Sequence, residues 1–290
     1  MQGHVSMRWV AAAFAALMAL TPCTQAFAAK AGGASGTSAS LDIGQTFTMA
    51  SARLGETRRL NVYLPEGYAE HPDARYPVMY LLDGGIHEDF LHIAGLLQVS
   101  AANGTMRPFI LVGIENTQRR RDMTPVTEVA NDRTIAPVVG GAVPFRAFIR
   151  DELMPEIARR YRTTDESAIV GESAAGLFIM DTLVTAPDMF DDYIAIDPML
   201  WWNDKALMKG FRAYLNAHPD LKARLFVANS GEPTIAEVAV WVPVVLQEAA
   251  PKGLTWRYLS LPEETHGTVF QPAAMQAFRA LLAPDATKSP

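Results

Sequence analysis

At 290 residues, with 31 acidic against 25 basic side chains, the chain carries a formal net charge of −6, so there is no electrostatic reason to expect a nucleic-acid partner. Its one cysteine, Cys23, can form no internal disulfide and leaves the rest of the chain without a thiolate nucleophile or thiolate metal site. Hydrophobic residues make up 49% of the chain, which leaves burial of a large core as the source of stability.

The N-terminus reads as an export signal: Arg8 is the positive flank, Trp9 to Leu20 an apolar stretch, and Ala26-Phe27-Ala28 an A-x-A cleavage site, so residues 1–28 are the expected signal peptide. About a dozen apolar residues are too few to span a ~30 Å hydrocarbon layer, so no membrane span is expected. Lipoprotein processing at Cys23 is the less favoured reading because Pro22 precedes it. The predicted location is therefore periplasmic or secreted. Residues 29–40, rich in Gly, Ala and Ser, read as a flexible linker, 41–284 as one α/β domain and 285–290 as a disordered tail.

Leu60, Val62 and Leu64 alternate with polar neighbours, which predicts a half-buried strand. Val78 to Leu82, ending at Asp83-Gly84-Gly85, and Phe109 to Ile114 are continuous apolar runs of the kind found in central parallel strands. Between them, Ile93, Leu96, Leu97 and Ser100 recur at helical spacing over Phe90 to Ala101. The basic run Arg119-Arg120-Arg121 reads as a solvated loop, with anion steering as the alternative and Arg121 as the candidate substrate contact.

An amphipathic helix is predicted over Phe145 to Tyr161, then a strand from Ser167 and a helix over Leu177 to Val184. A strand at Tyr193–Ile196, a helix at Ala206–Leu215 and a strand at Leu225–Ala228 come next. A helix over Val238 to Ala249, kinked or delayed by Pro243, a strand at Thr255–Leu261 and a closing helix at Ala273–Leu282 complete the chain. Such alternation means a doubly wound, mostly parallel sheet, whose working residues collect at the carboxyl ends of its strands.

Gly171-Glu172-Ser173-Ala174-Ala175 lies where a strand runs into a helix, as in the nucleophile elbow of an α/β-hydrolase. Ser173 is the candidate nucleophile. The residues two before and two after it must be small, and Ala175 stands where glycine is usual. In this architecture the acid and then the histidine follow the serine, and of His218 and His266 only the latter sits after the last strand. His266 is the candidate base. Glu232, after the Leu225–Ala228 strand, is the favoured acid, with Asp197 one strand earlier as its rival. The amides of Ala174 and Gly85 are the expected oxyanion donors, and His87, Trp201 and Trp202 the expected pocket lining. No H-E-x-x-H metal motif or G-x-x-x-x-G-K phosphate loop is present.

The chain resembles the putative-esterase (esterase D-like) group of α/β-hydrolases, and its enterochelin-esterase-like bacterial members in particular. The resemblance rests on Tyr80-Leu81-Leu82-Asp83-Gly84-Gly85, Val112-Gly113-Ile114-Glu115-Asn116, Arg121-Asp122-Met123-Thr124-Pro125, Gly171-Glu172-Ser173, Leu200-Trp201-Trp202-Asn203 and Thr265-His266-Gly267. It departs at Ala175 and at Asp197, where relatives often carry serine. The resemblance implies Ser/His esterase chemistry on a small-molecule ester, without a metal or organic cofactor. Relatives cleave siderophore esters, small acyl esters or thioesters, or transfer acyl groups. Acyl transfer to a sugar or alcohol, or a catalytically inactive binding protein on the same fold, are the other two expectations.

Overall fold

The structure, a computed structural model, describes residues 39–284. The expected signal peptide, most of the expected linker and the expected tail lie outside the described residues. Eight strands, β1 (Gln45–Ser51), β2 (Glu56–Tyr63), β3 (Tyr76–Leu82), β4 (Ile110–Ile114), β5 (Thr163–Glu172), β6 (Asp192–Ile196), β7 (Ala223–Ser230) and β8 (Leu254–Leu261), form one sheet. Its order is β1-β2-β4-β3-β5-β6-β7-β8. Strand β2 runs antiparallel to both β1 and β4, and every other pair is parallel. The helices are α1 (Phe90–Ala102), α2 (Arg119–Met123), α3 (Ala142–Phe148), α4 (Met154–Arg160), α5 (Ala174–Thr185), α6 (Trp202–Ala217), α7 (Pro233–Ala239), α8 (Trp241–Ala249) and α9 (Phe270–Leu281).

The sheet is buried on both faces because its central strands carry continuous apolar runs, Val78–Leu82 on β3, β4 throughout, Ala168–Val170 on β5 and Tyr193–Ile196 on β6, so the period-2 alternation of side chains supplies two cores at once. On β3, Met79 and Leu81 join Phe90, Ile93, Leu97, Ala273 and Phe278 of α1 and α9. Val78, Tyr80 and Leu82 point the other way, toward Phe145, Phe148, Phe178 and Phe211 on the helices of the opposite layer. None of the described helices is long and apolar enough to cross a membrane.

Four elements differ from the expectation. The single helix predicted over Phe145 to Tyr161 is α3 and α4 joined by a π turn at Ile149–Leu153. Pro155 lacks an N–H and its ring would press on the carbonyl four residues back, which the wider turn just before it relieves. The helix predicted from Val238 begins earlier and breaks at Val240; Pro243 lies in the first turn of α8, where no intrahelical donor is needed. Strand β1 and the short helix α2 were not foreseen. Arg58 of β2 ties α2 down: fully buried, it donates to Asp122 Oδ2 at 2.6 Å and its guanidinium stands 5.3 Å from the centre of the Phe145 ring.

Candidate active site

The turn from β5 into α5 holds Ser173 at φ 64°, ψ −115°, a left-handed conformation that a non-glycine residue adopts only when its surroundings force it. The forcing contacts are backbone hydrogen bonds. Ser173 N–H donates to Ile196 O at 3.0 Å, and Ser173 O accepts from Leu177 at 2.9 Å and from Met199 at 3.0 Å. A Cβ at Gly171 would stand 2.5 Å from Ala175 Cβ, so the methyl group at 175 occupies the room that Gly171 leaves. The Ser173 hydroxyl meets no hydrogen-bond partner among the described residues, and the serine is 8% exposed at the strand ends.

Residue Asp197 directly follows β6, also at positive φ (47°), with its N–H donating to Ala228 O at 2.8 Å. Its carboxylate is fully buried and accepts three hydrogen bonds, from Ser230 N–H at 2.6 Å, Ser230 Oγ at 2.8 Å and His266 Nδ1 at 2.7 Å. An ionised carboxylate only accepts, so Nδ1 carries the proton and Nε2 is left as the basic nitrogen. The bond to Asp197 raises His266 above its ordinary pKa, against the opposing effect of burial, and the nearby Glu172 carboxylate adds to the rise.

The acid expected from sequence is therefore corrected in its geometry. The His266 Nδ1–H donates to Asp197, not to Glu232. Glu232 caps α7 next to Pro233; its N–H donates to Ser230 Oγ at 3.1 Å and its carboxylate meets Thr234 Oγ1 at 3.4 Å. Strand β7 extends to Ser230, so the chain presents the serine to Asp197 and turns into α7 before a glutamate could face the imidazole.

Of the two expected oxyanion donors, the Ala174 N–H opens α5, where the first amides of a helix lack intrahelical acceptors. The Gly85 N–H is engaged: it donates to Glu88 Oε2 at 2.7 Å, and Glu88 is held in turn by Asn116 Nδ2 at 2.9 Å. The Asp83-Gly84-Gly85 turn sits tightly on β4, where a Cβ at Gly84 would come 2.3 Å from Gly113 Cα. His87 is exposed and lines, with Gly85, Glu88, Glu115, Asn116 and Arg59, a cleft of about 540 Å³ that reaches β1 but not Ser173 or His266.

Trp202 is buried and donates its Nε1–H to Pro125 O at 2.9 Å, a core and loop-anchoring role, whereas Trp201 beside it is only partly covered. The expectation for Arg121 is also corrected. Its guanidinium is bound to Glu56 Oε1 at 2.8 Å and Asp122 Oδ1 at 2.6 Å, which leaves no free donor fork for a substrate, and its hydrogen bond is the main cause that holds Glu56 down to about 2. Arg119 is likewise held by both oxygens of Asp83, at 2.6 and 2.7 Å, and reaches Glu172 O at 3.1 Å.

Two residues of this site escaped sequence reasoning. Ser230 gave no signal apart from its place at a strand end. Glu172 occupies the variable position of the elbow; burial pushes its carboxyl up to about 7, with the charges of Asp89 and Asp197 adding to the rise and those of His266 and Arg119 opposing it.

A mostly parallel eight-stranded sheet between helical layers, with a strained serine at the β5–α5 turn and a histidine after the last strand, defines an α/β-hydrolase fold. The family described as Putative esterase matches residues 51–236, and the chain belongs to it. It is 32% identical over 188 residues to "Ferri-bacillibactin esterase BesA" of Bacillus subtilis (strain 168), a match covering 60% of this chain and 65% of that protein. A second relative, "Siderophore triacetylfusarinine C esterase" of Aspergillus fumigatus, is 35% identical over 102 residues, 33% of each chain. The chain thus spans less than two thirds of the length of either. Among solved structures, an IroE-like serine hydrolase from Shewanella oneidensis superposes with a TM-score of 0.76 at 33% identity, over 85% of this chain and 83% of that one.

Proposed function

We propose that this chain is an exported serine esterase that cleaves carboxylic esters of siderophore type through an acyl-serine intermediate. The observation that carries the reading is the Asp197–His266 hydrogen bond at 2.7 Å at the same strand ends as the strained Ser173. His266 Nε2 takes the proton as Ser173 Oγ attacks the ester carbonyl, Asp197 steadies the imidazolium, and the leaving alcohol takes the proton back. Water, activated by the same nitrogen, then releases the acid and frees the serine. The Ala174 amide holds the oxyanion, and the Gly85 amide joins it once Glu88 lets go. The relatives named as siderophore esterases support the substrate class, and the reading of residues 1–28 as a signal peptide supports export.

The test is hydrolysis of a cyclic tri-catecholate lactone and of simple aryl esters by the purified chain, run beside Ser173→Ala. The lactone should be preferred, and Ser173→Ala should lose at least about 10⁴-fold in kcat and all labelling by a fluorophosphonate. Labelling that survives the substitution would remove Ser173 from the reaction.

A further inference from the structure

We infer that Arg120 is a substrate-binding cation of this site: its guanidinium takes a negatively charged oxygen group, a carboxylate or a deprotonated catechol, that the ester carries close to the scissile bond. The inference rests on the serine-esterase reading and adds to it a charge that the substrate must bring.

Three arginines in a row, Arg119, Arg120 and Arg121, begin α2, and the protein itself neutralises the outer two. Arg119 is held by both oxygens of Asp83 at 2.6 and 2.7 Å, and Arg121 by Glu56 at 2.8 Å and Asp122 at 2.6 Å. Arg120 meets no carboxylate among the described residues. Its side-chain partner there is the thioether of Met199, with Nη1 donating to Sδ at 3.4 Å, and a thioether is a weak acceptor without charge. The Nε and Nη2 of Arg120 have no partner among the described residues and are not sealed from solvent, so they are open to an incoming group. Burial and the charge of Arg119 push Arg120 below its ordinary pKa, with Asp83 opposing them. The guanidinium stays protonated all the same, so an anion bound there relieves a repulsion already present in the free protein.

The contact with Met199 puts this charge beside the turn that carries the nucleophile. Met199 is buried, and its N–H donates to Ser173 O at 3.0 Å, so the guanidinium touches a residue that holds the elbow in place. The backbone under Arg120 is fixed as well. Thr124 Oγ1 donates to Arg120 O at 2.7 Å, and Trp202 Nε1–H donates to Pro125 O at 2.9 Å, which clasps the segment after α2 to the turn that follows β6. Trp201 belongs to that same turn, two residues after Met199, and its indole is only partly covered. A donor fork free of internal anions and a partly open aromatic ring thus come from two clasped segments beside Ser173. A flat ring bearing negatively charged oxygens suits that pair.

The experiment compares two pairs of substrates that differ in charge, in the full chain and in Arg120→Gln. The first pair is para-nitrophenyl hemisuccinate, whose acyl chain ends in a carboxylate, and para-nitrophenyl pentanoate, which is neutral and of similar length. The second is the tri-catecholate lactone with ferric ion bound, which is anionic, and without it. The quantity read is the ratio of kcat/KM on the charged member to that on the neutral member. In the parent chain the ratio should exceed one for at least one pair, and Arg120→Gln should lower it about tenfold, mainly through KM. A fall confined to the first pair identifies the bound group as a carboxylate, and one confined to the second identifies it as a catecholate. A ratio that Arg120→Gln leaves unchanged in both pairs, or a loss shared equally by charged and neutral substrates, overturns the inference while leaving Ser173 and His266 in their roles. Hydrolysis of none of the four substrates by the parent chain would instead overturn the esterase reading itself. Should Arg120→Gln fail to fold, Arg120→Met, which keeps an unbranched stem against Met199 and removes the charge, is read in the same way.

Discussion

At the scale of residues, the site is organised by one buried carboxylate. Asp197 makes all three of its hydrogen bonds with groups from other strand ends, so replacing it leaves Ser230 and the imidazole without their common acceptor. Asp197→Asn keeps the shape but puts an amide opposite Nδ1, which favours the wrong tautomer. A loss of roughly 10³- to 10⁴-fold in kcat/KM is expected, the size seen when the acid of a serine triad is neutralised. Glu232→Gln should change kcat/KM by less than about threefold, because this partly buried residue at the start of α7 makes no hydrogen bond to the imidazole. Steady-state kinetics of the two variants on one aryl ester, with a melting curve for each, separate the roles. A larger loss in Glu232→Gln than in Asp197→Asn would reverse the assignment.

At the scale of elements, the β5–α5 turn works only if small residues face each other across it. Because Gly171 yields its space to Ala175, the two positions are coupled. Gly171→Ala should destabilise the protein by about 1–3 kcal/mol, as overpacking does, and adding Ala175→Gly should recover part of that loss. Thermal unfolding of the two single variants and the double variant measures the coupling, and strictly additive effects would show that the methyl groups do not meet. The left-handed turn at Asn203, Asp204 and Lys205 is a second place where local conformation is imposed from outside. There Asn203 N–H donates to the buried Asp132 at 2.8 Å and Asn203 Oδ1 accepts from Glu128 N–H at 2.9 Å, which fastens the 125–135 loop over the Trp201-Trp202 turn.

For the molecule as a whole, two opposed sets of carboxylates bound the pH range of stability. Glu56 and Glu166 are held below their ordinary values chiefly by Arg121 and Arg107, so their contribution is present above about 4.5 and is lost as pH falls through their folded values. Glu172 and Asp192 are pushed up to about 7 chiefly by burial; their contribution is full below about 4 and is lost as pH rises toward that value. The balance of these four groups should therefore place the peak of the melting temperature at roughly pH 4–4.5. Glu172→Gln should flatten the alkaline side of that peak, and a melting temperature rising steadily through pH 8 in the parent chain would contradict the assignment.

The central strands, the helices of both layers and the positions of Ser173 and His266 could be read from the chain itself, because continuous apolar runs, helical spacing and a run of small residues at a strand end are local properties. The same applies to membership in the esterase family, which the short motifs already resembled. Strand β1 was not legible: it is an edge strand whose side chains are largely exposed, so no apolar pattern marks it. Which of Asp197 and Glu232 hydrogen-bonds His266, the engagement of Gly85 by Glu88, the tying of Arg121 to Glu56 and the burial of Glu172 were decided by tertiary structure alone. Each depends on which side chains from distant loops meet at one rim of the sheet, and a linear sequence holds the candidates for that meeting without the distances between them.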